Sequence, residues 1–447
     1  MLFSSIPFLF FFFPVMMLLY FAVPGKLKNV VLLVGSLAFI FWGTPQYLPV
    51  ILLTTLMFYG CGLAIEKAQK QGVKKTWMIV SVVLSMALLT LYKGLNEIKS
   101  MALPIGISFY TFRGISYTVD IYRGKTAAEK NPLTFSSFLL MFPVLMFGPI
   151  VRYTDLSAAF QKREHSFENF FLGLRRFLVG LGKSVILGGS FLQMGTFLSK
   201  STDQSVLFYW IYAFALLLYV YYDCSGCADQ AIGIGRMMGF TFVEDFNYPY
   251  TSLSVQDFWR RWRMSLASWF KDYMYIPLGG NRVSTPRWVL NTLIIWAFTG
   301  LWHGFNLTFV VWGLMFAVLL MFEKWVPAFK KLPTFVRRIY LILVITIGFV
   351  IFAAPDMATA GKYLGSMFGL GGLPLISKEA LYYLANAAVL FVVGIIGVTP
   401  VVKNAALRIE KTKAGSVLQV VMMVLLLVLC AGYLISGGDI GNLYADI

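Results

Sequence analysis

Apolar side chains run in long blocks along this chain, separated by short polar stretches. Many blocks approach the roughly 20 residues an α-helix needs to cross a hydrocarbon core of about 30 Å. The first, residues 3–23, contains the run Phe8 to Phe13. It lacks a basic leading region and a small-residue cleavage site, so it reads as a retained span rather than a signal peptide. Further blocks fall at about 29–43, 47–65, 77–92, 101–121, 134–151, 170–198, 205–222, 288–301, 305–322, 339–354, 379–400 and 415–436. Some are short or interrupted by Gly and Pro, so the expected number of full crossings is roughly eleven or twelve, the others being re-entrant or interfacial.

The polar stretches between blocks orient the bundle. Lys67, Lys70, Lys74 and Lys75 follow the third block, Lys324, Lys330, Lys331, Arg337 and Arg338 share a later loop, and Lys403, Arg408, Lys411 and Lys413 another. The alternating loops 44–46, 93–100 and 355–378 are poorer in basic residues. The positive-inside rule then puts 66–75, 324–338 and 401–414 in the cytoplasm and both termini outside. No soluble linker and no internal repeat is evident, so residues 1–447 read as one membrane domain.

The pattern changes from Asp223 to Trp312, where polar residues return. Asp223, Asp229, Arg236, Glu244, Asp245, Asn247 and Asp257 crowd the stretch 223–257. Ionisable groups at membrane depth cost roughly 2.5–3.5 kcal/mol each, which predicts a segment lining a watery cavity or lying at the interface. Gly226, Gly233, Gly235, Gly239 and Pro249 suggest irregular backbone there. Downstream, Val255, Trp259, Trp262, Leu266, Trp269 and Tyr273 recur at steps of three and four, which predicts one amphipathic, basic helix in the headgroup plane. Pro277, Gly279 and Gly280 end it.

Composition sharpens the class. The chain is 59% hydrophobic and 13% charged, against roughly 25% charged in soluble domains, and its mean hydropathy is +0.75. These values exclude a soluble, disordered or disulfide-built protein. The formal net charge of +17 would suggest nucleic acid in a soluble chain; here it reads as cytoplasmic loops that meet anionic lipid.

Candidate chemistry is sparse. Of the two histidines, His165 sits in the charged stretch 161–165 and reads as a solvated loop residue, whereas His303 ends an apolar block. No histidine–cysteine cluster has metal-ligand spacing, so no metal is expected. Cys224 and Cys227 form a CxxC without the context of a redox motif, and Gly233-Ile234-Gly235-Arg236 lacks the spacing of a dinucleotide loop. What remains is His303 together with Arg260, Arg261, Arg263, Lys271, Arg282 and Arg287. Guanidinium groups hold phosphates, and a neutral imidazole takes a proton from a hydroxyl. That combination outlines an acyltransferase using a phosphate-bearing donor and a hydroxyl acceptor.

Several long stretches carry a resemblance: LPIGISFYTFRGISYTVDIYRG (103–124), FGPIVRY (147–153), YYDCSGCADQAIGIGRMMGF (221–240), EDFNYPY (244–250), QDFWRRW (256–262), SLASWFKDYMYIPLGGNR (265–282) and TGLWHG (299–304), with MLFSS and Trp42-Gly43-Thr44-Pro45 near the start. In this order they resemble the membrane-bound O-acyltransferase family, in the bacterial branch of the alginate and peptidoglycan O-acetyltransferases, with a signature core at about 100–315. The resemblance implies a multi-pass, all-α protein of the bacterial inner membrane with a central cavity entered from the cytoplasm. It implies acetyl-CoA as donor, with no permanently bound cofactor, and onward transfer to an extracytoplasmic polysaccharide through a partner acetyltransferase of the SGNH-hydrolase type.

It also implies His303 as the catalytic base. Arg260, Arg261, Lys271 and Arg282 are expected at the donor phosphates, and Asp257 and Asp272 are expected to orient the cations. The family usually has His after the FWRRW run; Arg263 stands here, always charged and unable to act as a base, and is expected to meet a phosphate or an oxyanion, the alternatives being a solvent-facing Arg beside a self-sufficient His303 or an altered activity. The ending GGDIGNLYADI (437–447) departs from the branch's aromatic tail. Two rival readings are D-alanyl transfer to teichoic acid, by the related branch of the family, and a non-catalytic component of polysaccharide export.

Overall fold

The computed structural model describes residues 3–99, 101–201 and 204–437. Met1, Leu2 and the tail 438–447 lie outside them. Helices α1 to α9 span Phe13–Ala22, Lys28–Gly43, Leu48–Lys67, Gln71–Lys99, Ile107–Tyr122, Pro132–Leu140, Tyr153–Gln161, Phe167–Gly182 and Gly189–Lys200. Helices α10 to α15 span Val206–Met237, Val255–Arg261, Met264–Phe270, Thr285–His303, Leu307–Trp325 and Thr334–Ala353. Helices α16 to α19 span Met357–Met367, Lys378–Gly397, Val401–Ile409 and Lys413–Ile435. The described residues form no strand. Eight helical segments among them are long and apolar enough to cross a membrane; other expected spans form shorter helices, such as α6, whose block is interrupted by a 3-10 turn at Phe142–Val144.

The chain divides into two compact units. One holds residues up to Gly180 together with Cys227–Asp245, and the other holds Leu181–Gly226 and the chain from Phe246 onward. In the first, the polar residues near 229–244 have a structural use. Arg176 on α8 pairs with Asp229 at 2.9 Å and also with Glu244, while Arg236 donates to the Asn169 side chain at 3.2 Å. Arg176 offsets the charge of Asp229 and Glu244, while Glu244 and Arg236 remain exposed, as a place at the interface requires. The expected irregular backbone begins later than predicted, because α10 runs unbroken through Gly226, Gly233 and Gly235 to Met237. Gly233 lets α8 approach closely: a Cβ there would lie 2.6 Å from the Gly173 carbonyl oxygen. Cys224 and Cys227 sit one turn apart on α10, both buried thiols with no disulfide between them.

In the second unit, the predicted single helix over 255–273 is broken. Trp262 is extended and Arg263 adopts a left-handed conformation (φ 43°, ψ 56°), so α11 and α12 are separate short helices. The tryptophans expected at the headgroups face inward instead: Trp262 and Trp269 are only 4% and 3% exposed. Trp262 stacks on Phe258 (5.4 Å between centroids), Phe258 stacks on Tyr250 (6.0 Å), and the Tyr250 hydroxyl donates to the Leu217 carbonyl at 2.7 Å. The EDFNYPY and QDFWRRW stretches therefore build one aromatic core.

Candidate functional site

Helices α13 and α14 form the hairpin that carries His303. The helices touch backbone to backbone: a Cβ on Gly300 would lie 2.3 Å from the Phe309 carbonyl oxygen, and one on Gly313 2.2 Å from that of Trp296. His303 is the last residue of α13. The turn after it is pinned by Asn306, which caps α14 by accepting from the Thr308 N–H and donates to the Pro355 carbonyl at 2.6 Å.

His303 is 8% exposed and faces a cavity of about 1110 Å³. Trp302, Phe352 and Trp312 surround its ring at centroid distances of 4.6, 4.9 and 5.3 Å, the last two edge to face at 86°. An aromatic collar of this kind fixes the ring plane and excludes bulk water.

One face of α13 lines the cavity from Trp288 through Thr292, Trp296 and Thr299 to His303. At 1.5 Å per residue that stripe is about 22 Å long. At the Trp288 end, Lys324 lies 3.4 Å from the indole centroid. The Trp288 N–H donates to Tyr275, whose hydroxyl donates to the Asn281 side chain at 2.6 Å, so the IPLGGNR turn is wired to the start of α13. Six cationic residues line the cavity, namely Arg260, Arg263, Lys271, Lys324, Lys330 and Arg337. The one carboxylate lining it, Glu323, is engaged by the backbone N–H groups of Val255 at 2.6 Å and Gln256 at 3.1 Å, where it caps α11. Ser254 accepts from the Asp257 N–H at 3.0 Å and completes that cap.

Of the residues singled out from the sequence, His303, Arg263, Arg260 and Lys271 meet around this cavity. Arg263 is 6% exposed. Arg261, Arg282, Asp257 and Asp272 do not line it. Asp257 does orient a cation, but its partner is Arg261, one helical turn on, at 3.1 Å. Arg282 is exposed in the turn before α13. Sequence reading missed Lys324, Lys330, Arg337 and Glu323 at the cavity. The first three read from the sequence as a cytoplasmic loop, and their charge clustering is the only local signal.

A histidine on a long, cation-lined cavity fits the chemistry of acyl transfer, and the comparisons supply the family. The family model for membrane-bound O-acyltransferases matches residues 37–357, and the chain belongs to that family. It is a multi-pass membrane O-acyltransferase. Among its relatives, a probable alginate O-acetylase of Azotobacter vinelandii is 35% identical over 89% of this chain and 84% of its own length. The peptidoglycan O-acetyltransferase of Helicobacter pylori is 30% identical over 86% of this chain and 83% of its own. The teichoic acid D-alanyltransferase of Bacillus subtilis is also 30% identical, but over 56% of this chain and 67% of its own.

Proposed function

We propose that the protein takes acetyl from cytoplasmic acetyl-CoA and passes it across the bacterial inner membrane toward O-acetylation of an extracytoplasmic polysaccharide. A polymer of the alginate or peptidoglycan type fits the relatives, and the proposed onward carrier is an SGNH-type acetyltransferase. One observation carries the reading: Lys324, Lys330 and Arg337 line the same cavity as His303, and Lys324 stands on Trp288, about 22 Å from His303 along α13. The basic end belongs to residues 324–338, which the positive-inside rule assigns to the cytoplasm. A donor with phosphates separated from its thioester by a long arm would engage both ends.

In the proposed reaction the acceptor hydroxyl oxygen attacks the thioester carbonyl carbon while the His303 imidazole takes the hydroxyl proton. The carbon–sulfur bond then breaks, and the thiolate leaves with the proton returned by the imidazole. Arg263 is proposed to stabilise a negative charge, at a donor phosphate or at the carbonyl oxygen. The teichoic acid relative matches only about half of this chain, so acetyl is favoured over D-alanine. Proteoliposomes offered labelled acetyl-CoA, or a labelled D-alanyl carrier protein, separate the two. Turnover of the acetyl label alone is the expected result, and turnover only of the D-alanyl carrier would overturn the reading.

A further inference from the structure

We propose that Lys28, Arg163 and His165, all in the first compact unit, form a binding site for the phosphate of an anionic lipid headgroup. The three basic side chains converge on one pair of rings. The Lys28 ammonium lies 4.6 Å from the Tyr20 centroid and 4.9 Å from that of Phe21. The His165 ring meets the same two rings edge on, at 5.7 and 5.6 Å. The Arg163 guanidinium sits 4.2 Å from the Phe240 centroid and donates to the Tyr20 hydroxyl at 2.8 Å.

The cluster is built rather than incidental. Arg163 also donates through Nε to the Ala159 carbonyl at 3.0 Å and through Nη2 to the Asn29 side chain. The Tyr20 hydroxyl itself donates a hydrogen bond to the Met238 carbonyl at 2.6 Å. Gly239, at φ 83°, allows the close fit, since a Cβ there would lie 2.9 Å from His165 Cε1 and 3.1 Å from Arg163 Cβ. All of Arg163's acceptors are neutral. No carboxylate among the described residues pairs with any of these three side chains.

The electrostatics are therefore uncompensated. Burial, followed by repulsion from Lys28 and Arg163, holds the His165 imidazole below its ordinary value. Lys28 is 9% exposed, so its charge has lost water without gaining a counter-ion. A phosphate would relieve both costs, and Arg163 retains two of its five N–H donors for it.

The surroundings favour a lipid as the source of that phosphate. Exposed Val15, Leu18, Leu19 and Phe21 make an apolar lane along α1 that ends at the cluster; Leu18 alone is 72% exposed. Such a lane suits an acyl chain whose headgroup lies beside Lys28. The loop between the first two spans falls on the cytoplasmic side by the same charge rule that orients the bundle, and that leaflet carries anionic lipid.

The test uses full-length protein and native mass spectrometry, with phosphatidylglycerol and phosphatidylcholine supplied in equal amounts. The wild-type protein should retain phosphatidylglycerol in preference. The double variant Lys28→Gln/His165→Gln should lose at least three-fold of that retention, with phosphatidylcholine adducts unchanged. Because Lys28 is buried, His165→Glu serves as a second variant: its site is exposed, the fold should survive, and the preference should fall in the same way. Equal retention of the two lipids, or a preference unchanged in both variants, would overturn the site. Millimolar inorganic phosphate that abolishes phosphatidylglycerol retention would identify a soluble phosphate as the occupant and overturn the lipid assignment.

Discussion

Arg263 combines two properties that a substitution can separate. It places a guanidinium at the cavity, and it occupies a left-handed backbone position that costs a non-glycine residue about 1–2 kcal/mol. Arg263→Gly and Arg263→Val both remove the charge, but only glycine accepts the backbone freely. Both variants are expected to raise the KM for the acyl donor, while the glycine variant should melt as ~1–2 kcal/mol more stable than the valine variant. Equal stability of the two would show that the backbone is not strained there. Glu323 acts through another element, so it is a positioning residue. Glu323→Ala leaves two backbone N–H groups at the start of α11 without an acceptor, and should cost about 1–3 kcal/mol in denaturation. Glu323→Gln keeps an acceptor and should recover most of that. His303 was legible in the sequence because it ends an apolar block, and Arg263 because it stands in a basic cluster where the resemblance leads one to expect His. Glu323 was not, since its partners lie 68 and 67 residues away and no local periodicity records such a contact.

At the scale of elements, the α13–α14 hairpin decides where His303 sits. Gly313→Ala would put a methyl against the Trp296 carbonyl oxygen and push the two helices apart. Overpacking of this kind costs about 1–3 kcal/mol, and the shift at His303 should lower kcat more than it raises donor KM. Gly361→Ala is the control: its Cβ meets nothing within 4 Å, in the middle of α16. That change should be neutral or add about 0.5–1 kcal/mol, with activity unchanged. The long apolar helices were readable from hydropathy. The break between α11 and α12 was not, because no Gly or Pro marks it and the step-of-three-and-four pattern continues through it. Nor was the length of α10, where glycines that serve helix packing imitate glycines that open a loop.

For the whole molecule, the charge pattern ties orientation to chemistry. The basic residues that set topology by the positive-inside rule include three that line the cavity, Lys324, Lys330 and Arg337. Donor binding should therefore weaken with salt, and raising ionic strength from about 0.05 to 0.5 M should increase the Kd several-fold. An unchanged Kd would remove the cations from donor recognition. Of the candidate spans, the one along α17 buries 11% of its apolar window and the one along α19 buries 17%, against 72% for α10. The first two leave most of their surface uncovered by protein, whereas most of α10 is covered. The central claim is that His303 moves the acyl group. Its most direct test is label transfer from acetyl-CoA by His303→Ala protein in proteoliposomes, with folding and donor binding measured on the same sample. Retained binding with turnover reduced at least about 100-fold is the predicted result; undiminished turnover by a folded variant would contradict it.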